Sequence, residues 1–148
     1  GHGTAPKPHE PEAYADLTAR VLEAMPDTPV DAVGFSLGAI TLLRIAIDQP
    51  HRFRKLVLAG IGSTLFDDDT SGTERIVAAL EGTAPADDNI ARLFSQYGNQ
   101  PDNDLAALTA VMKRPRGVPF TAELVAGATC TTRPGRSLPP GWIIASQR

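Results

Sequence analysis

Residues 30–38, Val30-Asp31-Ala32-Val33-Gly34-Phe35-Ser36-Leu37-Gly38, run an apolar stretch into a serine set between two glycines, and a helical pattern starts directly behind them. The spacing is G-x-S-x-G, the pattern of a nucleophile elbow, in which a strand delivers a serine into a sharp turn ahead of a helix. The turn strains the serine backbone, and the residues two before and two after must be small so that neighbouring backbone can approach without meeting a Cβ. Gly34 and Gly38 fill both positions. Because a helix follows at once, the Ser36 hydroxyl and the Leu37 N–H lie at a helix N-terminus, where unpaired amides favour developing negative charge. Ser36 is therefore the candidate nucleophile, and the Leu37 amide a candidate oxyanion donor.

Small residues also surround serines in ordinary strand-to-helix turns, so the flanks decide. Residues 30–35 are short and apolar with one charge, as expected of a strand buried on both faces of a parallel sheet. Residues 37–49 place Ile40, Leu42, Leu43, Ile45, Ala46 and Ile47 on a wide apolar surface and stop at Pro50, the pattern of a buried helix. Residues 53–60 read as a second parallel strand reached by a right-handed crossover. Strand, elbow, helix and strand make a β-α-β unit.

On these residues the chain resembles the α/β-hydrolase superfamily. Gly1-His2-Gly3 looks like the end of that family's GHG loop, and Gln49-Pro50-His51-Arg52-Phe53 and Leu56-Val57-Leu58 match its next helix end and strand. Ala39 stands where many members carry another glycine. The resemblance implies an α/β class: a partial α/β-hydrolase fold over residues 1–60, with a parallel β-α-β unit and nucleophile elbow, followed by a mainly helical cap over 61–127. It also implies a serine hydrolase that cleaves an ester, thioester or related acyl bond of a small-molecule substrate without cofactor or metal. Serine at position 36 argues against the epoxide-hydrolase and haloalkane-dehalogenase chemistries, which use an acidic nucleophile.

The rest of the catalytic machinery is harder to place. A serine needs a histidine base, and the histidine an orienting acid; in this superfamily the chain order is serine, acid, histidine. After Ser36 the one histidine is His51, beyond a helix about 18 Å long, too far to serve as base. His2 belongs to the GHG loop, where the family's histidine is structural, and His9 is a loop residue with no partner suggested. Asp67-Asp68-Asp69 follows the second strand, where some members place their acid, but three adjacent carboxylates among Thr, Ser and Gly also read as a solvated loop.

Where the family's next strand and aspartate belong, residues 132–141 hold three prolines and two glycines and no apolar run. Read one base later, the codons allowed for this stretch permit an apolar strand followed by an aspartate. The expectation is thus an irregular tail over 128–148, frameshifted or foreign to the fold from about residue 131. Complete members are longer, with strands on both sides of the elbow strand, so the chain reads as an inactive fragment. Its elbow strand would expose an edge open to self-association. The alternative is a non-catalytic remnant, or a binding module completed by a partner.

Composition bounds these readings. With 148 residues, 42% hydrophobic content and net charge −3, the default is one soluble globular domain. Fourteen Lys and Arg against 17 Asp and Glu leave no basic excess for nucleic acid, and Lys113-Arg114-Pro115-Arg116 reads as a solvated helix end. No apolar run approaches the ~20 residues of a membrane span. The single Cys130 excludes an internal disulfide and suits a reducing cytoplasm. Gly60-Ile61-Gly62 lacks the third glycine of a dinucleotide-binding turn.

Further helices are expected over residues 10–25, with Tyr14, Leu17, Val21, Leu22 and Met25 inward, and over 74–81, 89–97, Leu105–Lys113 and 121–126. Phe66, Ile76, Leu80, Leu93, Phe94, Leu108 and Met112 either line a pocket or hold the cap helices together.

Overall fold

The structure, a computed structural model, describes residues 1–67, 69–129 and 142–145. Its elements in chain order are α1 (Leu17–Ala24), β1 (Val30–Phe35), α2 (Leu37–Asp48), β2 (Phe53–Ala59), α3 (Ser71–Leu80), α4 (Asn89–Gly98), α5 (Leu105–Lys113), α6 (Ala122–Thr129) and β3 (Trp142–Ala145). Short 3-10 turns occupy Pro11–Tyr14, Pro50–Arg52 and Ser63–Phe66. These elements form two units, one of Gly1–Ala15 with Asp68–Gly117 and the other of Asp16–Asp67 with Val118–Arg148.

The second of these, the sheet unit, is a parallel sheet in the order β1-β2-β3. The register sets Val30 beside Phe53, Ala32 beside Leu56 and Gly34 beside Leu58, and this face receives α2. Leu43 and Ile45 of α2 and Leu56 and Leu58 of β2 are fully buried there, joined by Ala39, Ala46, Phe53 and Phe120. Val21, Leu22 and Met25 of α1 and Val125 of α6 pack around this cluster. Arg44 on α2 stacks its guanidinium 3.8 Å from the centre of the Phe120 ring and donates to the Val118 carbonyl, tying the returning chain to the helix.

The opposite face differs from the expectation of a strand buried on both sides. Val33 and Phe35 are 76% and 72% exposed, and Asp31 and Lys55 sit on the same side. β1 has β2 as its single strand neighbour among the described residues, so it forms an edge. The tail also departs from expectation. Trp142-Ile143-Ile144-Ala145, whose first three residues are β-formers, pairs in parallel with Leu56 to Ala59 of β2. Cys130 and the proline-rich stretch 131–141, on which the changed-frame reading rests, lie outside the described residues.

The helix expected over 10–25 is broken. The Asp16 carboxylate accepts from Ala19 N–H at 2.8 Å and from the Thr18 hydroxyl at 2.5 Å, which starts α1 afresh at Leu17. Ahead of it Tyr14 is buried in the 3-10 turn and donates to the Pro8 carbonyl at 2.9 Å.

In the helical unit, α3, α4 and α5 pack together with Gly98 at their meeting point; a Cβ there would lie 2.7 Å from both Leu80 and Leu105 side chains. Each helix has an acidic start. Asp69 accepts from Ser71 N–H and hydroxyl at 2.8 Å each, Asp88 caps α4 through Ala91 N–H at 2.9 Å, and Asp104 caps α5 through Ala107 N–H at 2.9 Å. The N-terminal segment is sewn to these helices. Gly1 carbonyl accepts from Asp104 N–H at 2.9 Å, Lys7 donates to Asp102 carbonyl at 3.1 Å, and His9 bonds Asp104 at 3.0 Å. These bonds hold residues 1–15 to the helices of this unit.

Candidate active site

Ser36 sits between the end of β1 and the first residue of α2. Its backbone lies at φ 49° and ψ −116°, a conformation that side-chain-bearing residues rarely adopt. The turn is pinned on both sides. Ser36 N–H donates to the Ala59 carbonyl at the end of β2 at 2.9 Å, and Ser36 carbonyl accepts from Ile40 N–H at 3.0 Å as the first bond of α2. Ser36 is exposed, and its hydroxyl makes no cap bond to its own helix, which leaves Oγ available at the tip. The N–H groups of Leu37, Gly38 and Ala39 belong to the first turn of α2, which has no intrahelical acceptors to offer them.

The two elbow glycines have different surroundings. A Cβ on Gly34 would fall 2.7 Å from Ala39 Cα and 2.8 Å from Ala39 N, so α2 starts against bare backbone there. Ala39 itself is fully buried at that contact. At Gly38, by contrast, no described atom lies within 4 Å of a built Cβ.

Family membership follows from the sequence around this turn. The profile of the alpha/beta hydrolase fold matches residues 1–98 of the 148. The chain belongs to the α/β-hydrolase family. Over 71 residues, 47% of the chain, it is 39% identical to the pimeloyl-[acyl-carrier protein] methyl ester esterase of a serogroup A strain of Neisseria meningitidis. Over 60 residues, 39% of the chain, it is 43% identical to the enzyme of the same name from a serogroup C strain. The match spans 22% of the length of each of these curated relatives. No solved structure gives a significant match.

Within this α/β-hydrolase chain the histidines lie as follows. His51 occupies the 3-10 turn after α2, whose 12 residues separate it from Ser36 by about 18 Å. His2 meets the Tyr97 hydroxyl at 2.5 Å with the two rings tilted, and burial lowers its pKa from the ordinary value. His9 and Asp104 form an imidazole–carboxylate pair within the helical unit. That pair escaped the sequence reading because 95 residues separate its partners; the one local signal was Asp104 one residue ahead of an apolar helical pattern. None of the hydrogen bonds described for these histidines goes to Ser36.

Asp69 is held below the ordinary carboxylate range by its bonds to Ser71, as the starter of α3, and Asp68 lies outside the described residues. Of the residues named as pocket candidates, Leu80 and Leu108 are buried among the helices, whereas Phe66 and Leu93 are exposed. Among the described residues, no three His, Cys, Asp or Glu side chains cluster as metal ligands would, and no helix is long and apolar enough to cross a membrane.

Proposed function

We propose that this chain carries the nucleophile of a serine acyl hydrolase acting on carboxylic esters or related acyl bonds of small molecules. The observation that carries the reading is the backbone of Ser36, held at φ 49° at the N-terminus of α2. Ser36 Oγ attacks the acyl carbon, and its proton passes to a histidine. The Leu37 N–H steadies the oxyanion. Collapse of that intermediate expels the alcohol, which takes the proton from the histidine; water then releases the acid and restores Ser36. The names of the relatives support an ester as substrate. The mainly helical stretch over residues 61–127 is read as a cap.

The base and acid are assigned to none of the described residues. The 148-residue chain alone is accordingly expected to turn over an activated ester no faster than Ser36→Ala. The elbow itself is tested independently of the base by Ser36→Cys in a Cys130→Ala background. A helix N-terminus lowers a thiol pKa below the ordinary value of about 8.5, so alkylation of Cys at position 36 should titrate clearly below that. An ordinary thiol there would overturn the reading of the turn as an anion-stabilising site. A second reading, a binding module completed by a partner, is favoured by the exposed face of β1 at Val33 and Phe35.

A further inference from the structure

Phe35 and Gly60, we infer, form a clamp that positions Ser36; the inference rests on the reading of Ser36 as nucleophile. β1 and β2 set Phe35 beside Ala59, and one residue on, Ser36 N–H donates to the Ala59 carbonyl at 2.9 Å. That carbonyl belongs to the peptide joining Ala59 to Gly60. Gly60 turns out of the strand at φ 70°, a region that favours glycine. A Cβ built on it would lie 2.7 Å from Phe35 Cε2 and 3.1 Å from Cδ2 and Cζ. The ring of Phe35 therefore lies against the bare Cα of Gly60, over the end of the strand that accepts the elbow's hydrogen bond.

Among the described residues, core packing does not account for this aromatic. Phe35 is 72% exposed and takes no part in the buried cluster on the other face of the sheet. The contact joins the residue before the nucleophile to the residue after its backbone acceptor, so the two chain turns that meet at the elbow are fixed to each other. With α2 packed on the sheet, relaxing the positive φ of Ser36 would swing its N–H away from Ala59, and the ring against Gly60 would oppose that swing. Neither Phe35 nor Gly60 touches the reacting atoms; both act through the direction in which Ser36 presents its side chain to the start of α2.

The test uses the full chain with Ser36→Cys and Cys130→Ala, reading the thiol pKa at position 36 from the pH dependence of iodoacetamide alkylation. Phe35→Ala removes a mostly exposed ring and leaves the core intact, while Gly60→Ala brings a Cβ into the ring and strains the turn. Each should return the thiol pKa toward about 8.5. Gly82→Ala is the control: Gly82 has φ 71° and nothing within 4 Å of a built Cβ, so it imposes the same kind of backbone strain without the clamp. It should leave the thiol unchanged.

In the Phe35→Ala background, Gly60→Ala should have a smaller effect than alone, because its Cβ no longer meets a ring. If Gly60→Ala fails to fold, Phe35→Ala decides. An unchanged thiol pKa in Phe35→Ala overturns the clamp while leaving the nucleophile reading intact. A parent thiol that already titrates near 8.5 overturns both.

Discussion

Ser36 and Asp102 are the two non-glycine residues with positive φ among those described. Asp102 lies in a loop between helices, whereas Ser36 lies where a strand, a helix and a neighbouring carbonyl hold it. Such a backbone costs on the order of 1–3 kcal/mol, and a glycine would relieve it at the expense of a more flexible unfolded chain. We therefore expect Ser36→Gly to stabilise the protein by about 1 kcal/mol in urea unfolding; a lower midpoint would show that the turn is not strained. The motif and the need for Gly34 were legible, because both rest on local geometry. The contact of Phe35 with Gly60 was not, because it depends on how two strands pair across 24 residues of intervening chain.

Among elements, β1, β2, α2 and α5 lie within a residue or so of where apolar spacing put them. α1 failed for a polar reason. Apolar periodicity runs through residues 10–25, but a carboxylate at Asp16 with a free N–H three residues on makes a better helix start than a continuation. The same device starts α4, where Asp88 serves as cap and also takes a bidentate bond from Arg75. The Arg75 guanidinium, with the Ala91 amide, pulls the Asp88 pKa down to about 2.

A depressed carboxylate pKa adds stability that is complete above its unfolded value near 3.9 and is lost as pH falls through the folded value. Arg75→Gln should accordingly be less stable than the parent at pH 6, and the gap in urea midpoint should close as pH drops from about 4 past about 2. A gap that persists below that range would mean that Arg75 acts through packing rather than through Asp88.

For the molecule as a whole, composition suggested one domain; the chain forms two compact units, and its first 15 residues join one of them by bonding to helices that lie far along the sequence. No local pattern carries such pairings. The exposed face of β1 is legible only in part: sequence indicated an edge, but reading the strand as buried on both sides hid Val33 and Phe35. An edge strand with apolar side chains and free backbone groups is a template for pairing. We expect the chain to self-associate with rising concentration in sedimentation velocity and Val33→Lys to suppress it, since an edge lysine disfavours strand addition. A parent that stays monomeric over the same range would remove self-pairing as a property of this edge.

The division into units has a further consequence. The backbone passes from one unit to the other three times, after residues 15, 67 and 117. A protease cut between residues 67 and 68 would give two pieces, each holding part of the sheet unit and part of the helical unit. The nick would sever the covalent thread while the packing within each unit kept the pieces together. In that sense the polypeptide is laced rather than strung, and its halves are complements before they are domains.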